Sequence, residues 1–322
     1  MNTGLKITAF AAALAATFGT AYGVGRGVDP VVGRGETAAH EGHGAGEETP
    51  AGEDAQGGDR IAPPGGLQIS EGGYTLALET SRVSGGKSTR LRFSIQDADG
   101  HKLTAYRREH GKELHFIVAS RDLTVYRHLH PTRAADGTWT TSADLPAAGA
   151  YRAFADFEPA VEGAESLTLG ADLAVSGAYA PAAVPAPAAG AKVDDYEVTL
   201  TGGLQPGRSG ELGLEVTRNG KPVTDLEPYL GAYGHLVALR SGDLAYLHVH
   251  PEGEPGDGTT KPGPRVSFTA TAPSVGTYRL FLDFRHEGKV RTAAFTVEAG
   301  EAATSSEPAE NAEEHEDSGH GH

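Results

Sequence analysis

Residues 100–131 and 220–251 superimpose without a gap at an offset of 120, sharing Gly100/Gly220, Thr104/Thr224, Gly111/Gly231, His115/His235, Tyr126/Tyr246, His128/His248, His130/His250 and Pro131/Pro251. Farther along, Pro146-Ala-Ala-Gly149-Ala-Tyr151-Arg152 matches Pro273-Ser-Val-Gly276-Thr-Tyr278-Arg279, and Asp156-Phe157 matches Asp283-Phe284. The chain is an internal duplication, so whatever fold one copy adopts the other must adopt as well.

Both copies read as β structure. Tyr74-Thr-Leu-Ala-Leu78, Leu91-Arg-Phe-Ser-Ile95, Glu197-Val-Thr-Leu200 and Leu212-Gly-Leu-Glu-Val216 alternate with period two, and turn sequences such as Asp-Ala-Asp-Gly and Arg-Asn-Gly bound them. No stretch of either copy sustains a helical period with caps. Short strands with turns every ~8–12 residues predict an antiparallel sandwich, and the Pro-x-x-Gly-x-Tyr step resembles the tyrosine corner of immunoglobulin-like folds. The expected fold is all-β: two tandem immunoglobulin-like antiparallel β-sandwiches, an N-terminal hydrophobic export or anchor helix, and disordered arms.

Composition sets the boundaries. Residues 1–25 are a signal peptide or membrane anchor, because Lys6 precedes an uncharged run over residues 7–25 that Arg26 closes. As a helix that run is long enough to cross a bilayer, and small residues also permit cleavage near Ala21. Either outcome places the rest outside the cytoplasm, secreted or anchored to the cytoplasmic membrane. Residues 26–66 form an acidic Gly/His-bearing spacer, 67–177 repeat 1, 178–192 an Ala/Pro linker, 193–298 repeat 2, and 299–322 an acidic His-bearing tail. Of the net charge of −16, residues 1–66 carry −4 and residues 299–322 carry −7, leaving −5 on the folded part. This balance argues against a nucleic-acid partner.

The 322 residues include 14 His, no Cys, one Trp and one Met, the initiator. Disulfides, thiolate metal sites, cysteine nucleophiles and the thioether sites that suit Cu(I) are all excluded. Metal chemistry would have to use imidazole and carboxylate, which points to Cu(II) or Zn(II). The duplicated segments 114–131 and 234–251 each read as a hairpin. A two-residue loop at Arg121-Asp122 makes paired positions sum to 243, which sets His115 across from His128 with His130 on the same face; in the second copy the sum is 483, and His235 faces His248 beside His250. Imidazoles directly across a ladder have Cβ atoms ~4.5–5.5 Å apart and can converge on one ion at ~2.0–2.1 Å. This His-x-His strand beside one His on an antiparallel neighbour is similar to the zinc site of carbonic anhydrases.

The expected sites are therefore His115, His128 and His130 in repeat 1 and His235, His248 and His250 in repeat 2. Tyr126 and Tyr246 share the His face as core aromatics or hydrogen-bond donors to the site, and Asp156 and Asp283 are turn residues or orienters of an imidazole. His40, His43, His315, His320 and His322, set among carboxylates in the arms, are loose capture sites for divalent metal. His101, His110 and His286 lack partners in the repeat and read as surface residues. The competing reading is a His/Tyr layer that only closes one end of each sandwich.

The export segment, the acidic His-bearing arms, H-x(12)-H-x-H-P and P-x-x-G-x-Y together resemble actinobacterial secreted or membrane-anchored proteins with tandem YtkA-like or FixH-like immunoglobulin-type domains. The resemblance covers about residues 70–298 and implies an extracytoplasmic sandwich with a link to copper or other heavy-metal handling. The function expected is capture of divalent Cu(II) or Zn(II) by a non-enzymatic extracytoplasmic protein. The alternative is a cell-surface interaction or structural module, with a membrane or cell-wall protein as partner, whose repeated His and Tyr are packing residues.

Overall fold

Alternating apolar residues make each strand two-faced, and turn residues with positive φ set where each strand ends. At Asn219-Gly220, φ is 49° and 74°, which is what a two-residue hairpin requires. The computed structural model describes residues 63–300 apart from Lys87 and His248, and the backbone but not the side chain of His250. The export segment, the arm histidines and nearly all of the spacer and tail lie outside these residues.

Repeat 1 builds β1 (Ser70–Glu71), β2 (Tyr74–Leu78), β3 (Arg82–Ser84), β4 (Ser88–Gln96), β5 (His115–Ser120), β6 (Tyr126–Leu129), β7 (Thr132–Arg133), β8 (Trp139–Asp144), β9 (Gly149–Phe157) and β10 (Leu167–Ser176). Repeat 2 builds β11 (Gly190–Val193), β12 (Tyr196–Gly202), β13 (Ser209–Arg218), β14 (Lys221–Pro222), β15 (His235–Arg240), β16 (Tyr246–Leu247), β17 (Val249–Pro251), β18 (Arg265–Thr271), β19 (Gly276–His286) and β20 (Lys289–Ala299). Every element among the described residues is a strand.

Repeat 1 has one sheet in the order β1-β2-β4-β8-β7 and a second in the order β3-β10-β9-β5-β6. Repeat 2 repeats the plan with β11-β12-β13-β18-β17 and β16-β15-β19-β20. Pairing is antiparallel except for β3 on β10. This is the strand order of immunoglobulin-like sandwiches, and both tyrosine corners are formed. The Tyr151 hydroxyl donates to Ala147 O at 2.8 Å, and the Tyr278 hydroxyl donates to Ser274 O at 2.9 Å.

Each sandwich has its own core. In repeat 1, Phe93 of β4 stacks on Phe116 of β5 at 4.2 Å, and the Trp139 indole donates to the Tyr106 hydroxyl at 3.1 Å. In repeat 2, Leu212, Leu214, Phe268, Leu280, Phe284 and Phe295 fill the equivalent space. Each such side chain stabilises by ~1.5–3 kcal/mol when taken from water.

A third core lies between the repeats. Strand β5 is buried at all six residues, so its second face must be covered too. Ile117, Ala119, Leu123, Tyr126 and Phe154 of repeat 1 pack there against Val237, Leu239, Leu244, Tyr246 and Phe281 of repeat 2. Tyr126 lies flat on Phe281 at 4.1 Å and 3°, while Tyr246 packs on Phe154 at 5.8 Å. The contact is reciprocal, as a local two-fold between matching surfaces requires. Ahead of repeat 1, Gly65 O accepts from Tyr246 N at 2.9 Å and Gly66 N donates to Thr168 O at 2.6 Å, tying that segment to both halves of the seam.

Candidate functional site

The hairpins that carry the histidines are longer-looped than expected. Ile117 pairs with His128 and Ala119 with Tyr126, so paired positions sum to 245 rather than 243. In repeat 2, Ala238 pairs with Leu247 and Leu239 with Tyr246, giving 485 rather than 483. The cause is a four-residue turn. Ser120 N donates to Val125 O and Arg240 N to Ala245 O, with Leu123 at φ 57° and Leu244 at φ 64°. His115 is therefore not directly across from His128; it stands against Asp156 of β9, and His128 faces Ile117. Because the slip is two residues, the histidines keep their common face.

That face is the seam. Ring centroids of His115 and His128 are 5.3 Å apart, of His115 and His130 5.8 Å, and of His128 and His130 5.0 Å. One ring nitrogen from each of these three lies within 4.8 Å of the others. Of the expected second trio, His235 is the member whose side chain is described. Its ring lies 5.7 Å from His115 and 5.9 Å from His128, against the cluster of the other repeat. His248 lies outside the described residues, and β17 carries the His250 backbone onto the opposite sheet, against Thr269.

The supporting shell crosses the seam as well. His128 Nδ1 donates to Asp283 Oδ2 of repeat 2 at 2.8 Å, and Thr292 Oγ1 donates to Asp283 Oδ1. Asp156, at the matching position of repeat 1, accepts from Thr168 Oγ1 at 2.9 Å. Both carboxylates sit inside strands, so neither is a turn residue. His115 Nε2 lies 3.4 Å from Glu109 O, His235 Nε2 lies 3.0 Å from Leu230 O, and His115 Nδ1 lies 3.0 Å from His128 Nε2. A cavity of about 80 Å³ opens among Glu109, His110, His115, His128, Asp156 and His235.

Burial governs the protonation of this cluster. It pulls His115 down to about 2, with the neighbouring imidazoles adding to the effect, and it pulls His130 and His235 down to about 4. It raises the Tyr126 and Tyr246 phenols, assisted by the charges of Asp283 and Asp156 respectively. These tyrosines serve as seam aromatics. The Tyr126 hydroxyl and His130 Nε2 are buried without a hydrogen-bond partner.

Of the histidines expected at the surface, His110 is exposed and His286 is buried. His110 places its ring 5.0 Å from His235 on the wall of the cavity. His286, 7% exposed, lies with Nδ1 2.6 Å from the Tyr196 hydroxyl and Nε2 3.0 Å from Asp225 Oδ1. Having no repeat partner hid them both. Thr168 and Thr292 were also missed, although each lies on the strand after its Asp-Phe pair.

Fold and seam together define a tandem immunoglobulin-like sandwich protein with a buried His/Asp cluster between its halves. The chain belongs to the family described as a domain of unknown function, DUF8832, whose model matches it twice, over residues 68–169 and 191–301. No curated protein matches it. Among solved structures, the Escherichia coli adhesin FdeC is 15% identical over 72% of this chain and 65% of its own, with a TM-score of 0.22. The Yersinia pseudotuberculosis adhesin InvE is 14% identical over 72% of this chain and 60% of its own, with a TM-score of 0.23. Invasin, a bacterial integrin-binding protein, is 14% identical over 72% and 41%, with a TM-score of 0.20. The chain thus spans less than two thirds of the length of each.

Proposed function

We propose that this chain is a non-enzymatic, extracytoplasmic module in which two sandwiches, fused face to face, present their loops and edges to a membrane or cell-wall protein as one rigid platform. The third apolar core supports this reading most directly. Reciprocal Tyr/Phe packing holds the two sandwiches at one angle, so a partner would meet a surface already in its binding geometry and would not have to order it. The cavity of about 80 Å³ beside the histidines also falls well below the ~300–1,000 Å³ of ordinary small-molecule sites. Residues 7–25 would export or anchor the protein, and the acidic spacer would hold the platform away from the membrane. The resemblance to YtkA-like and FixH-like domains fits the same placement and rests on the His and tyrosine-corner motifs.

The test is topological. Protoplasts expressing the full chain with a C-terminal tag are treated with protease before and after lysis. The tagged chain is expected to be digested, or already released to the medium, without lysis. Protection until the membrane is broken would contradict the reading.

A further inference from the structure

We propose that His115, His128 and His130 form a divalent-metal site at the seam, suited to Cu(II) or Zn(II), whose outer shell is supplied by the other repeat. This goes beyond the platform reading and shares with it the docking of the two repeats, while metal binding and cell-surface placement are tested separately.

Four observations meet at the site. The three imidazoles already place one nitrogen each within 4.8 Å of the others. Tetrahedral bonds of ~2.0–2.1 Å set donors ~3.3 Å apart, so closing on an ion needs only a small rotation of each ring. The outward nitrogens of two rings face acceptors, Asp283 Oδ2 for His128 Nδ1 and Glu109 O for His115 Nε2. Those acceptors call for N–H groups, which leaves lone pairs on His128 Nε2 and His115 Nδ1 facing each other at 3.0 Å. Two lone pairs at that distance need a cation between them, either one shared proton or a metal ion. His130 Nε2, buried and unpartnered, supplies the third lone pair.

Charge points the same way. The Asp283 carboxylate is buried at 2% exposure and its ion-pair partner among the described residues is His128 rather than an Arg or Lys, so an ion held by that imidazole would offset a buried negative charge. An ion on His128 Nε2 would complete a carboxylate–imidazole–metal relay of the kind that fixes ring orientation in metal sites. The neighbouring cavity leaves a fourth position open to water or to His235. The site would bind best when the repeats are docked, since repeat 1 donates the ligands and repeat 2 the carboxylate.

The test titrates CoCl2 into the full-length protein and into its H115Q/H128Q/H130Q variant, each checked for fold by circular dichroism. The arm histidines are common to both, so any difference reports the seam. Wild type should develop the visible d–d absorption of low-coordinate Co(II) and the variant should not; D283N should bind ~10–100-fold more weakly. If the variant does not fold, Co(II) on the wild type is read by paramagnetic broadening of amide signals. Broadening around residues 115–130 and 235 together with 283 supports the proposal. Identical titrations, or broadening confined to residues 40–43 and 315–322, would overturn it.

Discussion

Asp283 links the two repeats through one side chain. The carboxylate holds His128 across the seam and takes a second hydrogen bond from Thr292. Deleting one partner of a buried hydrogen bond to a carboxylate typically costs ~1–3 kcal/mol, because the other group stays buried and unsatisfied. Asp283→Ala should therefore lower stability by up to about 3 kcal/mol in urea unfolding, against about 1 kcal/mol for Thr292→Val. The histidines add a pH dependence. His130 and His235 are held near 4 and His115 lower in the folded state, whereas an unfolded chain takes up these protons near ~6.5. The unfolded state binds more protons below that value, so the stability these groups confer is full above pH ~6.5 and is lost as pH falls toward 4. Thermal midpoints should fall between pH 7 and pH 4, and His235→Gln should flatten that slope; an equal slope in the variant would remove His235 from the explanation.

The elements show what could be read in advance. Strand positions and the tyrosine corners were legible because both depend on local pattern, period two for the strands and Pro-x-x-Gly-x-Tyr for the corner. Tyr151→Phe and Tyr278→Phe should each cost about 1 kcal/mol, and the costs should add, since the corners lie in separate sandwiches. The hairpin register was not legible. Leu123 and Leu244 look like strand residues, yet each sits in a turn with positive φ and sends a fully buried side chain into the seam. Left-handed backbone costs such a residue ~1–2 kcal/mol, and burial of a leucine outweighs it at ~2–5 kcal/mol. Leu123→Gly should accordingly destabilise by about 2 kcal/mol in spite of relieving the backbone; a gain in stability would mean that backbone strain, not burial, dominates the turn.

At the scale of the molecule, duplication was plain and docking was not. Two equal His motifs suggest two equal sites; among the described side chains, the reciprocal seam gathers His115, His128, His130 and His235 into one cluster. The hint lay in the unbroken apolar runs Phe116–Ala119 and Leu236–Leu239, which exceed what a sheet with one wet face needs. Tyr126→Ala and Phe281→Ala should each cost about 3 kcal/mol, and the double variant should cost less than their sum, with a coupling of about 1 kcal/mol. Whether the two repeats form one body is read by residual dipolar couplings on the full chain. One alignment tensor is predicted to fit the amides of both repeats, 70–176 and 190–299; two tensors of different magnitude or orientation would show the sandwiches reorienting independently and would contradict the seam.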